Sequence, residues 1–173
     1  MNRLYPVGIQ NFEKIRKDGY IYVDKTALLY QLVKTGQYYF LSRPRRFGKS
    51  LMISTLEAYF IGKRELFKGL DMERLEKDWT VYPVLHMDLN TRNYFDYESL
   101  VGILSQNLEE WEKLYGDEKK DRVPEERFMY VIKRACEKTG HKVVILIDEY
   151  DKPILQTISK PELQTEYRNT LKA

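Results

Sequence analysis

The stretch "KVVILIDEYDKP", residues 142–153, constrains the fold more than any other. Val143, Val144, Ile145, Leu146 and Ile147 run unbroken, and Asp148 and Glu149 follow at once. A strand with one wet face alternates apolar and polar residues. An unbroken apolar run rich in β-branched types is expected where helices cover both faces, as in a parallel sheet. Two further segments read as strands: "QYYFLS" (37–42), aromatic and apolar, and "YPVLHMDLN" (82–90).

Helical patterns lie between them. Asp24 is placed to cap a short helix carrying Leu28, Leu29, Leu32 and Val33, with Gly36 as its stop. Met52, Ile53, Leu56, Tyr59 and Phe60 recur at helical spacing up to Gly62. Asp96 opens a long amphipathic helix with Tyr97, Leu100, Val101, Leu104, Leu108 and Trp111 on one face. Pro124 suits the first turn of another, bearing Phe128, Val131, Ile132 and Ala135, which Gly140 closes. Strands alternating with helices predict an α/β fold with a mainly parallel sheet. We divide the chain into a lead-in segment, 1–36, and a core, 37–173.

Composition excludes several classes. At 43% hydrophobic and 32% charged residues the chain is not disordered. It holds no apolar run near the roughly 20 residues that cross a bilayer, and its first residues do not read as a signal peptide. A lone Cys136 leaves no internal disulfide and fits a reducing cytoplasm, so a cytoplasmic location without membrane contact is expected. A net charge of +3 is too slight to argue for nucleic acid. His86 and His141 show no metal-ligand spacing, and no Ser-His-Asp or Cys-His arrangement is suggested.

The chemistry concentrates in "FLSRPRRFGKSLM", residues 40–52. A phosphate-binding loop joins a strand, a tight turn and a helix N-terminus so that several backbone N–H groups face one anion. Gly48 suits the turn, Lys49 the cation near the β- and γ-phosphates, and Ser50 the Mg²⁺ ligand. The full pattern wants glycine at 43, whereas Arg43 precedes Pro44 and is thereby held extended. The second half of the constellation is the acidic pair. Ligand sites of parallel sheets lie outside the C-terminal strand ends. Asp148 there suits the Mg²⁺ sphere, and Glu149 suits the base that polarises a water attacking the γ-phosphate.

"YVDKT", "LSRPRRFGKSLMISTLEAYF" and "ILIDEYDKP" resemble the N-terminal ATPase region of the bacterial and archaeal AAA-ATPase-like proteins, near the archaeal and STAND-type P-loop ATPases. Nearly the whole chain is covered. In that family the loop typically reads Arg-Pro-Arg-Arg-Phe-Gly-Lys-Ser, so the resemblance makes Arg43 a family feature, standing on the glycine of related archaeal ATPases. It implies a P-loop three-layer α/β/α fold that binds ATP and Mg²⁺ and hydrolyses ATP in the intact protein. The nucleotide would be held by Arg45, Arg46, Phe47, Gly48, Lys49, Ser50 and Leu51. The metal would be held by Ser50 and Asp148, and catalysis would rest on Lys49 and Glu149. Family members commonly continue into a C-terminal restriction-like nuclease domain, so that domain or a homo-oligomer is the partner the resemblance implies for a full-length protein.

In this class a later strand, bearing a polar sensor residue, lies between the phosphate-loop strand and the Asp-Glu strand. The chain given ends at Ala173 within a helical pattern, "PELQTEYRNTLKA". The expectation is a truncated core that binds nucleotide weakly and hydrolyses it poorly. Two other readings stand beside it: a nucleotide-gated scaffold without turnover, and a nucleic-acid module using the basic loop Arg43–Arg46. For Asp24, Lys25 and Thr26 the readings are a helix cap or a contact near base and ribose. For Asp88 and Asn90 they are a turn or a reach toward the attacking water. Lys152 follows Asp151, which reads most simply as surface charge, or else as a group supporting the acidic pair from behind.

Overall fold

The computed structural model describes residues 4–42, 44 and 46–172. It divides into two compact units, up to Val84 and from Leu85 onward.

In the first unit, α1 (Phe12–Lys17), α2 (Thr26–Thr35), α3 (Lys49–Phe60) and α4 (Asp71–Leu75) are joined by loops and a 3₁₀ turn at Arg64–Phe67. Its core is aromatic. Phe12 and Phe67, both fully buried, meet with ring centroids 5.0 Å apart, and Tyr59 and Trp79 pack edgewise at 5.8 Å. Such pairs add roughly 0.5–1.5 kcal/mol beyond their burial. The helix after the phosphate loop ends where the sequence places its stop. Gly62 takes φ 77°, the Lys63 N–H reaches the Ala58 carbonyl (2.9 Å), and the Gly62 N–H reaches Tyr59 (3.1 Å). That pair of bonds is a Schellman motif, and its left-handed residue is why glycine stands there.

Polar staples join these elements. The Ser54 hydroxyl accepts the Phe12 N–H at 2.9 Å, and Arg16 donates to the carbonyls of Leu66 and Lys68 at 2.8 and 2.6 Å. Glu76, almost fully buried, accepts the Tyr59 hydroxyl, the Lys34 ammonium at 3.1 Å, and the N–H groups of Lys77 and Asp78 at 2.9 Å. Burial pushes its carboxyl pKa up, but these donors outweigh burial and hold it at about 2.

One sequence expectation fails in this unit. Residues 37–42 form no strand: the segment is irregular, and Tyr38, Tyr39 and Phe40 are exposed. The Tyr39 hydroxyl instead donates to the Leu32 carbonyl at 2.6 Å, near the C-terminal end of α2. An apolar run becomes a strand only when a neighbour pairs with its backbone, and no ladder partner exists for it among the described residues.

In the second unit, β1 (Val84–Asp88) and β2 (Val144–Asp148) form a two-stranded parallel sheet. The long connection between them carries α5 (Tyr97–Tyr115) and α6 (Pro124–Thr139), and α7 (Lys152–Gln156) and α8 (Pro161–Thr170) follow. Both long helices begin and end as their sequence signals require. The Asp96 carboxylate accepts the Ser99 N–H at 2.9 Å, Pro124 opens α6, and Gly140 closes it at φ 70°. Leu85, Met87, Leu100, Ile103, Leu108, Trp111, Val131 and Tyr167 make one core. Within it Arg127 donates from Nε and a terminal nitrogen to the two Glu112 carboxylate oxygens at 2.8 and 2.7 Å, a bidentate, buried ion pair between α5 and α6.

The sheet departs from expectation in one respect. β2 is not covered on both faces: Leu146 and Asp148 are buried, but Ile145 and Ile147 are 43% and 46% exposed. Alternate residues of a strand point to opposite sides, so Leu146 and Asp148 share the buried side of β2 while Ile145 and Ile147 share the other.

Candidate functional site

The first cluster is the start of α3. Gly48 has φ 75° and ψ 24°, and Lys49 begins the helix directly after it. A left-handed residue followed by right-handed ones turns successive N–H groups toward one concavity, a nest that suits an anion. No side chain caps this helix start. The Met52 N–H is the first to bond back, to the Gly48 carbonyl at 3.0 Å, as expected where the first turn's donors have no intrahelical acceptor. The N-terminal end of the helix dipole adds partial positive charge at that point. A Cβ on Gly48 would meet nothing within 4 Å. The glycine is required here by its positive φ and not by crowding.

Arg46 is also left-handed, at φ 67°, and Phe47 is 65% exposed. A non-glycine residue in that region carries strain of order 1–2 kcal/mol. Lys49, Ser50 and Leu51 are the first three residues of α3 and are half-buried. The loop therefore brings Arg46, Phe47, Gly48, Lys49, Ser50 and Leu51 to one helix terminus. Arg43, the departure from the glycine pattern, and Arg45, an expected nucleotide contact, lie outside the described residues.

The second cluster is the C-terminal end of the sheet. β2 delivers Asp148, 8% exposed, and its Oδ1 accepts the Glu149 N–H at 3.0 Å. Glu149 then takes φ 53°, so the chain turns sharply at the second acid. The Lys152 N–H closes that turn on the Glu149 carbonyl at 2.9 Å. Left-handed backbone at a non-glycine residue recurs at functional sites, where the surrounding structure holds it in place. The neighbouring strand ends in Asp88, whose Oδ1 accepts the Asn90 N–H at 2.8 Å, so the turn reading of that pair is the one realised.

Asp24 and Thr26 also find their role. Asp24 accepts the Thr26 N–H (2.8 Å) and hydroxyl (2.7 Å) with one oxygen and the Asp71 N–H (2.8 Å) with the other. The buried Thr26 hydroxyl accepts the Met72 N–H at 2.9 Å. Two side chains thus tie the start of α2 to the start of α4, a larger capping role than sequence reasoning assigned to Asp24. Thr26 had no local signal, because its partner lies 46 residues away.

The donor types present suit a hard cation. Each cluster, taken by itself, offers one oxygen donor, the Ser50 hydroxyl at the start of α3 and the Asp148 carboxylate at the end of β2, and Mg²⁺ is ordinarily held by one or two carboxylates together with phosphates and water. Among the described residues no group of three or more His, Cys, Asp or Glu is gathered for a metal. A hollow of about 390 Å³ is lined by Glu109, Glu112, Lys113, Asp117, Lys120, Asp121 and Arg127, and none of the candidate residues takes part. No described helix is long and apolar enough to cross a membrane.

Comparison with known proteins bears on the family of the chain. A protein from Azotobacter chroococcum mcd 1, described as "Uncharacterized protein in vnfD 5'region", is 43% identical over 169 residues. That match covers 96% of this chain and 33% of the relative, so the chain spans about a third of the relative's length. No solved structure matches. The family model described as "Predicted AAA-ATPase" matches residues 6–173, both motifs included, and the chain belongs to this AAA-ATPase-like family.

Proposed function

We propose that the chain is the nucleotide-binding part of a Mg²⁺-dependent P-loop ATPase with a three-layer α/β/α core. The observation that carries this reading is the start of α3, where left-handed Gly48 feeds an uncapped helix whose first residues are Lys49 and Ser50. In this reading the amides of Lys49, Ser50 and Leu51 hold the β- and γ-phosphates, and the Lys49 ammonium neutralises their charge. Ser50 and Asp148 would hold Mg²⁺, which would supply Lewis-acid charge at the phosphate oxygens when bound. Glu149 accepts the proton of a water whose oxygen attacks the γ-phosphorus, and the bond from that phosphorus to the bridging oxygen breaks, leaving ADP. Catalysis is then positioning and charge neutralisation.

Thermal unfolding with and without Mg-ATP tests the binding step. At a nucleotide concentration a hundredfold above Kd the chain gains about 2.7 kcal/mol, and Lys49→Ala removes that gain. An unshifted midpoint in the parent chain would refute the reading. Glu149→Gln leaves the stabilisation in place and lowers turnover at least about tenfold. Turnover that is absent, or insensitive to Glu149→Gln, favours a scaffold ordered by nucleotide occupancy. Salt-dependent DNA binding that survives Lys49→Ala favours the basic loop as a nucleic-acid contact.

A further inference from the structure

The loop that follows β1 is held in an unusual way. Residues 89–96 are fastened to the segment 152–167 by side chains that bond its main chain, one after another. The Lys152 ammonium donates to the Asn90 carbonyl at 2.7 Å, and the Gln156 side-chain oxygen accepts the Tyr94 N–H at 2.8 Å. The Lys160 ammonium donates to the Phe95 carbonyl at 2.9 Å, and the Tyr167 hydroxyl donates to the Asp96 carbonyl at 2.5 Å. Tyr94, buried edgewise against Tyr167, closes the loop on itself by donating to the Leu89 carbonyl at 2.7 Å.

Lys152 occupies a distinctive position in this series. Its main-chain N–H closes the turn at Glu149, while its side chain grips the residue two beyond the end of β1. One residue therefore fastens both C-terminal strand ends, those of Asp88 and Asp148. A charged donor makes a stronger hydrogen bond than a neutral one, so this grip restrains more than a turn alone would.

We propose that segment 152–167 is a clasp for the loop 89–96 and that Lys152 is a positioning residue, setting the loop's place beside the Asp148–Glu149 turn. The role rests on the reading that Asp148 serves the metal: a loop held at that strand end fixes the carboxylate's surroundings before Mg²⁺ arrives. Lys152→Met keeps the apolar stem and removes the donor, whereas Lys152→Arg keeps a donor. In the full chain, Lys152→Met is expected to speed amide hydrogen exchange across 89–96 about tenfold. It is also expected to raise the Mg²⁺ concentration for half-maximal Mg-ATP binding about fivefold, with metal-free ATP binding unchanged, and Lys152→Arg restores both. Unchanged exchange overturns the clasp. Faster exchange with an unmoved Mg²⁺ midpoint, or no rescue by arginine, overturns the positioning role. Should Lys152→Met fail to fold, Gln156→Ala carries the same measurements, since it removes the acceptor of the Tyr94 N–H. A parent chain without Mg²⁺-dependent ATP binding overturns the functional reading and the positioning role together. The exchange experiment needs no nucleotide and still decides the clasp.

Discussion

The two units reach order by different means. The first, up to Val84, has no strand among its described residues. Short helices surround an aromatic cluster and are stapled at their ends by Asp24, Thr26, Ser54, Arg16 and Glu76. The second has a sheet, a pair of long helices joined by a largely buried ion pair, and a loop fastened by four side chains. Short helices contribute little stability by themselves, so the first unit depends on contacts at their termini. Long amphipathic helices bury a continuous apolar stripe, and their polar contacts can lie within the core. The comparison teaches where damage should be worst: inside the second unit and at the helix ends of the first.

Arg127→Met gives the largest expected loss. Removing one partner leaves the Glu112 carboxylate buried without its cation, at about 3–5 kcal/mol. Denaturant unfolding reads the loss, and replacing both residues with apolar ones of similar size should recover most of it. Asp24→Ala comes next, at about 1–2 kcal/mol, because two helix-start N–H groups lose their acceptor at once. If Asp24→Ala cost as much as Arg127→Met, the ordering drawn from the two units would be broken.

The two units should differ in acid sensitivity as well. Burial pushes the Asp24 carboxyl up, but the N–H groups of Thr26 and Asp71 and the Thr26 hydroxyl outweigh it and keep it below its usual value. Glu76 is held at about 2. Carboxyls depressed in the folded state stabilise fully above their unfolded values near 4 and lose that contribution as pH falls toward the folded ones. Stability of the first unit should therefore decline below about pH 4.5, and Glu76→Gln should flatten that decline while lowering stability at pH 7. Urea unfolding at pH 7, 4.5 and 3 checks both; an unchanged slope in Glu76→Gln would remove Glu76 from the account.

Legibility from sequence varied with the range of the interaction concerned. The start of α5 followed from Asp96, whose carboxylate accepts an N–H of the first turn, the start of α6 from Pro124, which brings no N–H that needs an acceptor there, and the end of α6 from Gly140. Gly48, Lys49 and Ser50 likewise predict a turn and a helix start, and α3 begins at Lys49 directly after left-handed Gly48, although no strand forms at 37–42. Lys152 carries no local signal of its role because its acceptor lies 62 residues away, and Thr26 was hidden in the same way. The expected strand at 37–42 failed for a related reason: its residue types favour extension, but pairing depends on a neighbour that local sequence does not name.

What the amino acids determined by themselves is therefore local and chemical. Hydrophobic periodicity, helix caps, the Gly-Lys-Ser turn and the two adjacent acids after an apolar strand all act over a few residues. Tertiary structure alone decided which segments pair, that β2 keeps one face exposed, that Asp24 serves two helices, and that Lys152 joins two strand ends. Those outcomes depend on which distant groups meet, and backbone donors and acceptors accept any partner that arrives with the right geometry.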